Sequence, residues 1–368
     1  MVKLGVINYS SSNSPGGINK FVHELSSAVA KLGVDVTVLE PDSDSEGGDR
    51  CEYRIVKLPR PISKPPINRS KSFTNGIVRW IEQNDPDVIH VNGHMHMLSH
   101  QVIKSVKNRT EVPIVFSPHY DIAVSSKISL LLLPIFNRLI GKNTISRCDA
   151  IVFDSEFEKD AFSSAMNSFH ADSPVIPLGV DFEITSSKSL WDKELRLVYC
   201  GHLVKRKRVD RLIGLSEEIS RQSPETLLNV EIIGDGPEKE KLRKIAEESE
   251  IGEKISWSGF LERENMLRNL RDSDFFVLLS DSEAFGITVA ESLALGTGAV
   301  ISDNTALSEF SSEPGCIMAV DPDNFSSIAE VILETEGVRR KIGPFTDKIR
   351  NWQKTGLDYY NLYRKISE

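Results

Sequence analysis

Twice along the chain, short runs of β-branched and apolar residues alternate with amphipathic helical stripes, and this repetition constrains the fold more than any other feature. The first series opens with the apolar run Leu4–Ile7 and the Ser/Gly/Pro loop Asn8–Gly17. From Ile18 the apolar positions Phe21, Val22, Leu25, Ala28, Val29 and Leu32 recur at helical spacing, and Gly33 stands where a helix C-cap is expected. Val34, Val36 and Val38 then alternate as a strand does. A strand, a helix and a second strand in this order make a βαβ unit, which builds parallel sheets. Further strands are expected at Arg54–Leu58, Val88–Val91, Ile114–Ser117, Ala150–Asp154 and Val175–Pro177. Helices are expected at Phe73–Gln83, Ser126–Ile140 and Glu156–Ala165.

The segment Pro177–Asp181, with the polar Thr185–Lys188 after it, reads as a linker. Beyond it the alternation restarts, with strands expected at Leu195–Cys200, Asn229–Ile233, Ile255–Trp257, Phe275–Leu279 and Ala299–Ser302. Helices are expected at Arg208–Ser220, Pro237–Glu248 and Gly286–Leu295, and a final one between Phe345 and Ile366. The length of 368 residues, set against about 150 per domain, agrees with two α/β domains. Open α/β sheets bind ligands beyond the carboxyl ends of their strands, so the expected site is a cleft between the domains.

Composition narrows the function. The formal charge of −9 lacks the basic footprint of a nucleic-acid binder. Cys51, Cys148, Cys200 and Cys316 are widely separated, which excludes a CxxC zinc pair and reads as reduced cytoplasmic thiols. The first residues enter a strand directly, without the pattern of a secretory signal. The longest apolar stretch, Ile128–Phe136, is broken by Pro134 and falls short of a membrane span.

Four strand-end motifs carry candidate chemistry. Ser282–Glu291 follows an apolar strand and opens a helix, with Glu283 and Glu291 eight residues apart. If helical throughout, that spacing spans about 12 Å, the reach from a ribose across a diphosphate to a sugar. Carboxylates accept from neighbouring sugar hydroxyls, and the N–H groups of a helix start suit phosphate. Tyr199–Arg208 ends in four consecutive basic residues, suited to a diphosphate. Gly234-Asp-Gly-Pro237 and Pro15-Gly-Gly17 are tight strand-to-helix turns where a backbone can approach a ligand closely.

His119, in Ser117-Pro-His-Tyr-Asp121, is expected to point from a strand end toward ligand. His90, His94, His96 and His100 lack a Cys, Asp or Glu to complete a metal set, and read as a strand-end loop lining the cleft. The DxD pairs Asp42/Asp44, Asp85/Asp87, Asp272/Asp274 and Asp321/Asp323 read as turns or solvated faces, because none follows an apolar strand as a metal–diphosphate site would.

Taken in order, these motifs, together with Val88-Ile-His-Val91, Ile176–Asp181 and Gly259-Phe260, resemble glycosyltransferase family four, the retaining GT-B glycosyltransferases. The resemblance runs over nearly the whole chain. It implies an α/β GT-B fold: an acceptor-side Rossmann-like domain at 1–180, a nucleotide-sugar domain at 181–344, and a helix at 345–368 returning to the first domain. It implies transfer of a hexose, from a UDP- or GDP-sugar, to a hydroxyl of a glycan or lipid-linked acceptor, with no cofactor; and because no strand-end DxD is present while Lys207, its basic neighbours and the helix start at Phe285 can carry the diphosphate charge, no divalent metal is expected. Under it Glu291 is the ribose ligand and Glu283 the carboxylate on the donor sugar. Ala284, Phe285, Gly286 and Ile287 surround the distal phosphate, and Lys207 is the diphosphate lysine. Gly16, Gly17, Gly234 and Phe260 complete the donor site, and His119 lies near the transferred sugar.

Two departures stand out. His202 occupies the place of the family's usual Arg after Gly201, leaving Arg206 and His202 as candidate replacements. Arg208 stands where the family has Gly after the lysine. The basic, Pro-rich stretch Lys57–Lys71 and the apolar Ile128–Phe136 read first as a cleft-edge loop and a buried helix, with peripheral contact at the cytoplasmic face of a membrane as the alternative. Two rival readings share the pattern: a GT-B nucleotide-sugar epimerase, which needs acid and base residues rather than an acceptor, and a non-catalytic nucleotide-sugar sensor.

Overall fold

The computed structural model describes residues 1–10, 16–42, 52–61, 70–120, 133–166, 173–181, 187–189, 194–337, 339–341, 343 and 345–368. The chain divides into two compact units, Met1–Gly179 with Arg350–Glu368, and Val180–Ile349.

The first unit holds a six-stranded sheet in the order β3-β2-β1-β4-β5-β6. Its strands are β1 (Lys3–Ile7), β2 (Asp35–Pro41), β3 (Arg54–Leu58), β4 (Val88–Asn92), β5 (Ile114–Ser117) and β6 (Ala150–Ile151), all parallel. Helices α1 (Gly17–Ala30), α2 (Lys71–Asn84) and α3 (Met97–Lys107) fill the crossovers. Ile7, Leu39, Ile89, Val91, Ile114, Phe116 and Ile151 are fully buried in its core. Strands buried on both faces carry continuous apolar runs of this kind.

Short strands β7 (Gly179–Val180) and β8 (Ser187–Ser189) come next in the sequence. The second unit then repeats the plan with β9 (Glu194–Cys200), β10 (Leu227–Ile233), β11 (Ile255–Gly259), β12 (Phe275–Leu278), β13 (Gly298–Ser302) and β14 (Cys316–Ala319), in the order β11-β10-β9-β12-β13-β14. These strands are parallel too. In both sheets the order reverses beside the first strand, between β1 and β4 and between β9 and β12. A ligand-binding crevice forms at such a switch point, because the loops leaving neighbouring strand ends diverge there.

The last helix, Trp352–Ser367, belongs to the first unit and packs on α1 and β4. A Cβ on Gly356 would lie 2.7 Å from the Cβ of Ala28, so the glycine permits the close approach of the two helices. Tyr359 and Tyr363 are fully buried on its inner face. Tyr363 Oη is 2.8 Å from His90 Nδ1, and the other ring nitrogen of His90 is 2.9 Å from Ser117 Oγ.

This packing corrects the reading of the histidine group as a cleft-lining loop. His90 and His94 are fully buried and His100 nearly so, and their rings are engaged by Tyr363, Asn137 and Thr144. Burial first, and the charge of His119 second, push His90 down to about 3. Burial and then His100 push His94 down to about 3.

Other expectations shift in detail. The helix expected at Ser126–Ile140 lies partly outside the described residues, and its later part is a π-helical turn, Asn137–Gly141, running into Lys142–Ile145. The Ala150–Asp154 strand ends at Ile151, and Val175 makes only an isolated bridge to Phe153. Strand β14 had no sequence reading. Asp274 is not on a solvated face: it is buried and accepts the Arg196 N–H at 2.9 Å. Cys51 and Asp44 fall outside the described residues.

Candidate functional site

In the second unit, the proposed donor residues gather at the carboxyl ends of β9, β10, β11 and β12. After β9 the chain turns through Gly201 (φ 158°) into His202 and Leu203. This loop is clamped to the one after β10: the N–H of Leu203 donates to the Asp235 carbonyl at 2.9 Å, and that of Glu238 donates to the Leu203 carbonyl at 3.0 Å. Gly234, at φ 131°, has no alternative side chain, since a Cβ there would sit 1.9 Å from the Gly201 carbonyl oxygen. Tyr199, buried beneath, donates its hydroxyl to the His202 carbonyl at 3.2 Å. His202 is exposed, and its Nδ1 lies 2.7 Å from the Asp235 carbonyl oxygen, an acceptor, so the ring donates from Nδ1.

The basic run divides by role. Lys207 Nζ forms an ion pair with Glu283, with side-chain exposures of 18% and 8%. Arg206 reaches the Ser282 carbonyl at 3.3 Å, and its own carbonyl accepts the Asp281 N–H at 2.8 Å. Both tie the β9 loop to the β12 loop. Arg208 does not face the same way in chemistry: its guanidinium is taken up by Asp210 at 2.9 Å and Asp281 at 3.3 Å. Its backbone is left-handed, φ 47° and ψ 48°, a conformation that glycine adopts without the steric cost Arg208 bears.

Glu283 and Glu291 are both buried. The interval between them is only half helical. The helix Ile287–Ala294 begins after Gly286, which is left-handed at φ 91°. Its helical part up to Glu291 accounts for about 6 Å. A Cβ on Gly286 would meet Leu307 Cδ2 at 2.3 Å, so the turn requires glycine. Phe285 packs edge-on against Phe310 at 5.4 Å and anchors the loop. The first intrahelical bonds run to the Gly286 carbonyl from Val289 and Ala290, so the N–H groups of the turn before them have no intrahelical acceptor. Ala284 lies between Glu283 and this turn.

Glu291 has a partner that the sequence reading missed. Arg263, at the start of the helix Arg263–Asp272, pairs with it at 2.8 Å and with Asp181 at 3.4 Å. No spacing rule signals this contact, because the two helices meet only through the fold. Phe260, following Gly259 (φ 63°) at the end of β11, is a large apolar side chain left 70% exposed.

In the first unit, Gly16 and Gly17 start α1, and a Cβ on either would meet nothing within 4 Å. Nearby, Asn8 at the end of β1 donates to Asn19 at 2.7 Å. His119 follows β5 with φ 46°, a costly conformation for a residue that is not glycine. Its Nδ1 is 2.7 Å from Asp154 Oδ2, and Phe21 packs edge-on at 4.7 Å.

Among the described residues, no group of three or more His, Cys, Asp or Glu side chains could hold a metal ion, and no helix is long and apolar enough to cross a membrane.

Compared with known proteins, residues 15–184 match the family model for Glycosyltransferase Family 4, and residues 181–343 match that for Glycosyl transferases group 1. The chain is 24% identical over 372 residues to a subunit of the human phosphatidylinositol N-acetylglucosaminyltransferase, covering 96% of this chain and 72% of that one. It is also 24% identical to the Mycolicibacterium smegmatis phosphatidyl-myo-inositol mannosyltransferase, across 100% of this chain and 94% of that one. The solved sucrose-phosphate synthase of Thermosynechococcus elongatus superposes with a TM-score of 0.79 at 18% identity, over 99% of both chains. The two matched models together span both Rossmann-like units, and the chain belongs to glycosyltransferase family four, a GT-B enzyme that moves a sugar from a nucleotide-diphosphate donor to an acceptor hydroxyl in glycan or glycolipid synthesis.

Proposed function

We propose that the second unit binds a UDP- or GDP-hexose across the β9 and β12 strand ends, and that transfer retains the anomeric configuration without a metal. The observation that carries this reading is the Lys207–Glu283 pair beside the helix start at Gly286-Ile287, with Glu291 one turn further on. Lys207 and Arg206 supply fixed positive charge, and the N–H groups at that helix start supply more, where a leaving diphosphate develops negative charge. Glu291 takes the ribose hydroxyls once Arg263 yields, and Phe260 offers an apolar face to the base. His202 stands where a second phosphate contact is expected, held by Asp235.

The acceptor is proposed to be a glycan or a lipid-linked hydroxyl at the cytoplasmic face of a membrane. The mycobacterial and human relatives are named for phosphatidylinositol-based acceptors. Ile135 and Leu139 are exposed in a segment that also carries Arg138 and Lys142, a combination suited to peripheral contact with anionic lipid. The test is mass spectrometry on a panel of nucleotide sugars with lipid and glycan acceptors. Transfer releases free nucleoside diphosphate and a heavier acceptor. An unchanged nucleotide-sugar mass with an isomerised sugar would indicate epimerisation, and binding without any product would indicate a sensor.

A further inference from the structure

Arg263 stands between two carboxylates of the second unit, and the two differ in what surrounds them. Its Nη2 donates to Glu291 Oε1 at 2.8 Å and to Asp181 Oδ2 at 3.4 Å. Glu291 is 2% exposed and Asp181 50% exposed, with Arg263 between them at 35%. All three residues lie within Val180–Ile349. A guanidinium nitrogen shared by two acceptors passes from one to the other by a small rotation of its side chain.

The arginine serves Glu291 rather than its own helix. Arg263 is the first residue of the helix Arg263–Asp272, where the N-terminal dipole opposes a positive charge. Glu291 lies inside the helix Ile287–Ala294, and a carboxylate buried there needs a compensating charge. The same contact is an obstacle to a nucleotide, because the oxygen that Arg263 holds is one that a ribose hydroxyl needs. Asp181 makes the obstacle removable. A guanidinium that shifts onto Asp181 stays close to Glu291 and still offsets its charge, since Coulomb attraction falls slowly with distance, whereas a hydrogen bond is lost over a much shorter displacement. The freed carboxylate then accepts from both ribose hydroxyls.

We propose that Arg263 is a latch on the ribose site: without nucleotide it is closed on Glu291, and as a nucleoside diphosphate seats its ribose, Arg263 passes to Asp181. This rests on the reading of Glu291 as the ribose ligand. A ligand without ribose hydroxyls offers Glu291 nothing in exchange and leaves the latch shut. A closed latch lowers the apparent affinity of the ribonucleotide in proportion to the fraction of chains that are open, so Arg263 and Asp181 tune binding from outside the hydrogen bonds that the ribose makes.

The experiment is calorimetric titration of the whole chain with UDP and GDP and with their dideoxyribose counterparts, which lack both ribose hydroxyls. The unsubstituted protein is compared with Arg263→Met, Asp181→Asn, the double variant and Glu291→Gln. Arg263→Met should bind the ribonucleotide about three- to tenfold more tightly and the dideoxy compound within about twofold of the unsubstituted protein. A charge lost at a distance from the diphosphate acts on both ligands alike, so the ratio of the two affinities isolates the latch. Asp181→Asn should weaken the ribonucleotide about two- to threefold, because the released guanidinium has lost its exposed acceptor. That loss should vanish in the double variant, where there is no guanidinium to receive.

Weaker ribonucleotide binding by Arg263→Met would make Arg263 a support that orients Glu291, and overturns the latch; an unchanged affinity ratio overturns it too. Asp181→Asn alters a half-exposed side chain, so an unchanged ratio there overturns the hand-over even if Arg263→Met does not fold. Glu291→Gln separates the two ways of failing. If it does not lower the ratio, the ribose reading itself is wrong and the latch falls with it. If it lowers the ratio while Arg263→Met does not raise it, the latch alone is wrong.

Discussion

Glu283→Gln removes a charge from a pair in which neither partner is well solvated, and its consequences differ with and without ligand. Breaking a fully buried pair costs about 3–5 kcal/mol. Lys207 keeps 18% exposure and a long stem that can carry its ammonium toward water, so a cost of about 1–3 kcal/mol is expected here. A unit the size of Val180–Ile349 should lose about 2–4 °C of melting temperature per kcal/mol. The burial of Glu283 therefore makes some loss of stability part of the prediction.

A nucleoside diphosphate reverses the sign. In the free protein Lys207 is occupied by Glu283, and a phosphate has to compete for it. In Glu283→Gln that competition is gone, so the free nucleoside diphosphate should bind as well as before or up to about tenfold more tightly, tenfold being about 1.4 kcal/mol. Turnover should still fall by about 10²-fold or more, since the carboxylate is proposed to act where positive charge develops at the anomeric carbon. Glu291→Gln should do the opposite. It removes charge-assisted bonds to the ribose, each worth about 1.5–3 kcal/mol, and should weaken donor and nucleoside diphosphate alike with kcat nearly kept. Calorimetric titration, thermal melts and steady-state kinetics on both variants read all of this. Loss of nucleoside diphosphate binding in Glu283→Gln, with only turnover lost in Glu291→Gln, would mean the donor lies the other way round.

Gly286→Ala should destabilise the second unit by about 1–3 kcal/mol and weaken donor binding more than tenfold, because the left-handed φ and Leu307 both oppose a Cβ; a melt and a titration check it. Arg208→Gly should leave donor affinity within about threefold, since its guanidinium is spent on Asp210 and Asp281; a tenfold loss would make it a phosphate ligand. Acid should destabilise the first unit early. Burial holds His90 and His94 down to about 3 and His100 to about 4, so the unfolded chain binds more protons below about 6.5. Stability from these rings is complete above that pH and falls as pH drops through it, by up to about 4 kcal/mol per unit for three protons; a flat melting temperature between pH 6.5 and 4.5 would contradict this. Activity should persist in excess chelator, as Lys207, Arg206 and the helix start carry the diphosphate charge; abolition by chelator with recovery on adding Mg²⁺ or Mn²⁺ would refute it.

The two βα series, their parallel strands and the motifs at strand ends were legible from the residues alone. Apolar periodicity is a local property: the stripe from Phe21 to Val29 or the run Phe275–Leu278 states its own conformation, although the helix ends at Ala30, before the expected Leu32 and Gly33. Glycines at turns are local as well, and Gly234 and Gly286 mark places where only a residue without a Cβ fits. Once those elements are ordered into sheets, Lys207 and Glu283 must meet, because both leave strands that flank the switch point between β9 and β12.

What the tertiary structure alone decided is which charge meets which. Arg263 reaches Glu291 because two helices pack together, and Asp154 reaches His119 because β5 and β6 are neighbours. Arg208 is withdrawn from the basic run by Asp210 and Asp281. His90 is sealed in the core by a helix 273 residues further along the chain. Hydrophobic pattern is read one element at a time, but the energy of a charge depends on its desolvation and its partner, and both are set only when distant segments close around it.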